Sequence, residues 1–71
     1  MDHAGRNETS LMMHWRPRSV DLGQLSPDRT VRPVGVGGQD PRDATAEYGR
    51  ECLEQSVELV RQMFVKAGLL T

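Results

Sequence analysis

The residues best suited to chemistry stand at the start of the chain, where a histidine, acidic side chains and a glycine lie close together. His3, Gly5 and Glu8 occur in the stretch 2–12, DHAGRNETSLM. Histidine changes charge between pH 5 and 8, so a histidine on a loop is well suited to proton transfer. Glycine allows the backbone a positive φ or a close approach to a ligand. Taken alone, however, one histidine in a short motif is more often a solvated side chain than a catalytic one.

Three ordered segments together resemble the creatininase family of metal-dependent amidohydrolases. Residues 3–12, HAGRNETSLM, resemble the family segment His-Ala/Gly-Gly-x-x-Glu-Thr-Ser-x-Met. Residues 16–22, RPRSVDL, resemble its Arg/Tyr-Pro-x-x-Val-Asp-Leu stretch. Residues 35–49, GVGGQDPRDATAEYG, resemble its Gly-Val-x-Gly-Asp-Pro and Ala-Thr-x-Glu-x-Gly blocks, with Gln39 inserted before the Asp-Pro pair. The three segments span nearly the whole chain, which makes the match far more specific than any one of them.

The resemblance implies an α/β parent fold with three layers, α/β/α, that hydrolyses a C–N amide bond, often cyclic, in a small substrate. It also implies a divalent metal pair, Zn²⁺ or Mn²⁺, whose ligands lie in family segments that this chain lacks. We therefore expect a C-terminal fragment of such an enzyme that is inactive and binds no metal pair alone. Its expected partner is the remainder of the parent enzyme or a homologous subunit, because the family tends to form homo-oligomers.

The resemblance also assigns roles to two side chains of the opening stretch. His3 matches the family histidine that shuttles a proton between the attacking water and the leaving nitrogen. Glu8 matches the acid of the Glu-Thr-Ser step, where it takes part in the chemistry, orients His3 or caps the local backbone. Asp2 receives no role. Cys52 lies on the apolar side of a predicted helix, where a thiol behaves as a small hydrophobic side chain rather than a nucleophile.

Two alternatives from other classes of protein stay open at this point. The chain could be a non-catalytic interaction piece that docks an amphipathic helix on a full-length relative or another partner. It could also be a small helical protein of unrelated function, with the resemblance accidental.

Composition limits the chain to one small domain with little core material. It has 71 residues, of which 37% are hydrophobic, and single Trp, Tyr and Phe residues. The lone Cys52 cannot form an internal disulfide. The net charge of −1 argues against a nucleic-acid surface, and no apolar run is long enough for a transmembrane helix. No signal peptide is recognised, so we expect a cytoplasmic location.

The sequence predicts mostly two helices with a long irregular linker. A short helix over about 7–15 has Asn7 as its N-cap and ends before Pro17. Residues 18–43 are rich in glycine and proline and should be largely irregular, with at most a short edge strand near 31–36. A long amphipathic helix over about 45–67 begins at the N-cap Thr45 and ends before Gly68. Its apolar stripe needs a surface to pack on, and a sheet is the natural one.

Overall fold

The computed structural model describes residues 2–70, which form two α-helices joined by a mostly irregular segment. Helix α1 spans Arg6–Trp15 and helix α2 spans Ala46–Lys66. The joining segment contains three short 3₁₀ turns, Pro17–Ser19, Leu22–Gln24 and Pro41–Asp43. Within residues 2–70 there is no β-strand, and the α/β parent fold therefore stays an expectation from the resemblance.

The start of α1 differs from the prediction. Asn7 is not the N-cap; Gly5 holds that position and the helix begins one residue earlier, at Arg6. The carboxylate of Asp2 accepts hydrogen bonds from the backbone N–H groups of Asn7 (3.2 Å) and Glu8 (3.0 Å). A carboxylate there satisfies two first-turn donors and complements the positive end of the helix dipole. Asp2, to which the sequence assigned no role, therefore caps this helix.

Helix α2 begins and ends on local signals that the sequence contains. The N-cap at Thr45 is confirmed, since its hydroxyl accepts a hydrogen bond from the Tyr48 N–H at 3.0 Å. At the other end Gly68 has a φ of +76° and donates to the carbonyl of Val65, while Leu69 donates to that of Phe64. This pair of hydrogen bonds is the Schellman motif, in which glycine adopts the left-handed conformation without steric cost.

The two helices cross through their smallest residues. Ser10 of α1 is fully buried, and a Cβ placed on Gly49 of α2 would lie only 1.9 Å from the Ser10 carbonyl oxygen. The Ser10 hydroxyl accepts a hydrogen bond from the Thr45 N–H at 3.1 Å, which ties α1 to the start of α2. Among residues 2–70 the only buried hydrophobic residue is Ala44. The core is thus a backbone contact rather than a cluster of large side chains.

The C-terminal two thirds of α2 extend beyond this crossing and are exposed. The described residues measure 50 × 23 × 14 Å, and the 21 residues of α2 form a rod about 31 Å long. Leu53, Val57, Val60 and Phe64 follow one another at spacings of four and three residues and are 44–59% exposed. This stripe has no packing partner within residues 2–70. Neither helix there is long and apolar enough to span a membrane.

Arg42 holds the irregular middle segment in place. Its guanidinium donates to the carbonyls of Ser26 (2.9 Å), Asp28 (2.8 Å) and Val31 (2.8 Å). It also forms a bidentate ion pair with Asp40, and its side chain is only 9% exposed. Because Arg42 satisfies carbonyls that a sheet would otherwise pair, the segment is ordered without a strand. The possible edge strand near 31–36 does not form.

The ion pair predicts a local pH response. Hydrogen bonds from Arg42 lower the pKa of Asp40 from 3.8 to about 2. Because the folded pKa lies below the unfolded one, the pair stabilises the fold above about pH 4, and this contribution is lost as the pH falls toward 2. We expect the NMR signal of the Arg42 Nε–H group to shift over that range, because this group donates only to the Asp40 carboxylate.

The variant Asp40→Asn should abolish this titration. Glu58→Gln is the matched control, because Arg61 lowers the pKa of Glu58 to about 2 on exposed α2, far along the chain from the segment. An Arg42 Nε–H signal that titrates unchanged in Asp40→Asn would contradict the assignment.

Candidate functional site

The backbone of His3 is fixed against the glycine-rich loop. His3 lies ahead of α1 and forms an antiparallel bridge with Gly37: its N–H donates to the Gly37 carbonyl at 2.8 Å, and its carbonyl accepts from the Gly37 N–H at 2.9 Å. The side chain of His3 is exposed and has no hydrogen-bond partner among residues 2–70. The loop 35–38 therefore contacts the candidate proton-transfer residue.

The residue after His3 has an unusual backbone conformation. Ala4 has a φ of +52° and is the only non-glycine residue with a positive φ in the described part of the chain. Such a conformation costs an L-residue about 1–2 kcal/mol, so something must hold it there. The Ala4 N–H donates to the Glu8 carboxylate at 2.5 Å, and the Ala4 carbonyl accepts from the Thr9 hydroxyl at 3.1 Å. The Glu8 carboxylate thus contacts the backbone beside His3.

Gly5 is needed for close packing. It does not adopt the positive φ that a glycine allows. Its φ is −86°, and a Cβ there would lie 2.5 Å from the Asp2 carboxylate and 2.8 Å from the carbonyls of Gly37 and Gln39. The next residue, Arg6, donates its N–H to the Gln39 carbonyl at 3.0 Å. Together with the His3 bridge, this contact joins residues 3–6 to 37–39 along their backbones. Any side chain at Gly5 would push the two segments apart.

Arg6 also links the start of α1 to α2. Its guanidinium lies 3.8 Å from the centroid of the Tyr48 ring, a cation–π contact. The neighbouring Cys52, one turn further along α2, raises the pKa of the Tyr48 phenol. Cys52 is half-buried at this point. The Arg6–Tyr48 contact joins the two helices.

An open cleft of about 410 Å³ adjoins the Ala4 contacts. Ala4, Glu8 and Thr9 form part of one wall. The rest is mostly apolar and comes from α1 and from the middle segment: Met12, Ser19, Val20, Asp21, Leu22, Leu25, Val36 and Pro41. The charged side chains lining the cleft are both carboxylates. The sequence did not predict this cleft, because its walls come from segments that lie far apart along the chain.

The acidic residues near His3 do not fit a metal centre. No group of three or more His, Cys, Asp and Glu side chains within residues 2–70 is arranged to hold a metal ion. The Asp2 carboxylate accepts two backbone N–H groups of α1, and the Glu8 carboxylate accepts the Ala4 N–H. The second histidine, His14, lies in the last turn of α1, at the far end from His3.

Comparison with known families gives a single clear result. The family model for creatinine amidohydrolase, Creatininase, matches residues 1–64 of this 71-residue chain. The chain therefore belongs to the creatininase family, and the resemblance seen in its three segments is confirmed. Comparisons with curated proteins and with solved structures gave no match.

Proposed function

We propose that this chain is part of a metal-dependent amidohydrolase that cleaves a C–N amide bond, often cyclic, in a small substrate, and that His3 is its proton-transfer residue. The observation that carries the proposal is the presentation of His3 within the family segment 3–12. Its backbone N–H and carbonyl are both hydrogen-bonded to Gly37, while its imidazole is exposed. An exposed imidazole on a fixed backbone can come within hydrogen-bond reach of a substrate, which proton transfer requires.

The chemistry assigned to His3 needs only proton movements at the imidazole. In amide hydrolysis the attacking water loses a proton as its oxygen bonds to the carbonyl carbon. The leaving nitrogen must gain a proton as the C–N bond breaks. A neutral imidazole accepts the first proton and donates it in the second step, so the residue ends in its starting state. Glu8 is the supporting residue, acting on the backbone that carries His3.

The resemblance implies a divalent metal pair, Zn²⁺ or Mn²⁺. We propose that it is held by residues outside the stretch 2–12. Asp2, His3 and Glu8 do not fit it, since both carboxylates are engaged by backbone donors. No step of the reaction is therefore assigned to a metal on these residues. We propose that the ligands are supplied by other segments of the parent enzyme.

The apolar face of α2 supports packing against the remainder of that enzyme. Leu53, Val57, Val60 and Phe64 expose 44–59% of their surface along one stripe. Full burial stabilises a side chain of this size by about 1.5–3 kcal/mol relative to exposure. A sheet of the parent α/β fold is the partner we propose for this face, as an amphipathic helix on a sheet is the usual arrangement.

A second function is favoured by the same exposed face. A chain that docked α2 on a full-length relative or another partner without taking part in catalysis would use the same four residues. The two functions differ in whether His3 is required for hydrolysis.

A chimeric enzyme tests the proposal. Residues 1–64 of this chain would replace the matching segment of an active family member, and amide hydrolysis would be measured with the metal-loaded protein. We expect hydrolysis that is retained when His14, the exposed histidine at the far end of α1, is changed to Gln. A chimeric enzyme that folds and binds its metals but does not hydrolyse the amide would contradict the proposal. Stable binding of the separate 71-residue chain to the intact family member would then favour the docking function.

A further inference from the structure

We propose that Glu8 and Thr9 are positioning residues that clamp Ala4 in its left-handed conformation and thereby fix the direction in which His3 presents its imidazole. We call these two side chains the Ala4 clamp. The inference rests on the proposed function in one respect, the role of His3 in proton transfer. The Glu8 carboxylate accepts the N–H of Ala4, and the Thr9 hydroxyl donates to the carbonyl of the same residue.

The first line of support is that every backbone polar group of His3 and Ala4 has a partner. The N–H and carbonyl of His3 both bond to Gly37. The N–H of Ala4 bonds to the Glu8 carboxylate and its carbonyl to the Thr9 hydroxyl. The dipeptide is therefore held from two directions, by the glycine-rich loop and by the first turns of α1. Only the His3 side chain is left free to act.

The second line of support is the place where the clamp is anchored. Thr9 precedes Ser10, the one fully buried side chain of residues 2–70, at the point where α1 crosses α2. Glu8 lies in the first turn, whose N–H groups are capped by Asp2. Glu8 thus holds the N–H of Ala4, and Thr9 holds its carbonyl. The next residue, Ser10, holds the N–H of Thr45. The clamp therefore lies beside the residue at which α1 crosses α2.

Loss of the clamp should redirect the imidazole rather than unfold the chain. A non-glycine residue returns to negative φ when nothing holds it in the left-handed region. That change rotates the peptide between His3 and Ala4 and moves the His3 side chain. A displacement of about 1 Å of a reacting group can lower a rate about 10²-fold.

NMR spectra of the full 71-residue chain test the clamp directly. A positive φ at Ala4 gives a strong NOE between its own amide and Hα protons. We expect this NOE in the unmodified chain and in Thr9→Ser, which keeps the hydroxyl, and its loss in Thr9→Val, which removes it. Glu8→Gln should weaken it, and Glu47→Gln in the exposed first turn of α2 is the matched control. A strong Ala4 NOE in Thr9→Val would overturn the proposal.

The chimeric enzyme separates positioning from a general loss of structure. We expect Thr9→Val to lower kcat by about 10- to 100-fold with KM nearly unchanged, and Thr9→Ser to retain most of the activity. An active chimeric enzyme in which Thr9→Val leaves kcat unchanged would overturn the clamp and leave the role of His3 intact. If the unmodified chimeric enzyme folds and binds its metals but is inactive, the proposed function fails, and the Ala4 NOE alone decides whether the clamp exists.

Discussion

Replacing His3 by alanine in the chimeric enzyme should lower kcat by about 10²–10⁴-fold, the usual contribution of a positioned acid–base group. The physical reason is that the attacking water loses its proton acceptor and the leaving nitrogen loses its proton donor. Metal content should stay unchanged, because His3 is assigned to proton transfer and not to metal binding. The rate is measured at saturating substrate, and the metal by elemental analysis of the same sample.

His14→Ala is the matched control for this experiment. It removes the other histidine of the chain from an exposed position at the end of α1, and it should leave kcat within about twofold of the unmodified chimeric enzyme, as is usual for surface substitutions. A loss of metal in His3→Ala would show that His3 is a ligand. An unchanged rate would show that it is a solvated loop histidine.

The largest effect on stability should come from Gly49→Ala. An added Cβ would lie 1.9 Å from the carbonyl oxygen and 2.3 Å from the carbonyl carbon of Ser10, and 2.8 Å from the amide nitrogen of Leu11. All three are backbone atoms, so the clash is relieved only by moving α1 away from α2. We expect the free energy of unfolding to fall by about 3 kcal/mol or more, at the upper end of the range for overpacking.

The sign of this change is the decisive feature. On helix propensity alone, glycine to alanine inside a helix should stabilise by about 1 kcal/mol. Ser56→Ala, at an exposed position of α2, is the control that should show only that local effect, a small gain. Urea unfolding followed by circular dichroism measures both variants. A stabilised Gly49→Ala chain would contradict the close crossing of the two helices.

Local signals in the sequence were sufficient for the ends of α2. Thr45 and Gly68 act on backbone groups within five residues of themselves, so their positions alone predict the N-cap and the Schellman end. Asp2 acts at a similar separation but was missed, because its carboxylate reaches Asn7 and Glu8 only when the backbone turns at Ala4. The signal that could have found Gly49 was present, since an isolated glycine inside a helical pattern usually has a packing reason.

Contacts between distant residues account for what sequence reasoning could not supply. Arg42 organises carbonyls 11 to 16 residues away, a set that no spacing rule connects. The pairing of His3 with Gly37 brings the first and third family segments together, although each was recognised separately. The positive φ at Ala4, where glycine would be expected, follows from partners on both of its peptide groups.

The role of His3 as the proton-transfer residue is the central claim, and chemical rescue tests it most directly. The His3→Gly form of the chimeric enzyme has space for a free imidazole molecule at the position of the lost side chain. We predict that its rate of amide hydrolysis rises in proportion to added imidazole while the metal content is unchanged. A fully metal-loaded variant whose rate does not respond to imidazole, or one as active as the unmodified enzyme without it, would contradict the claim.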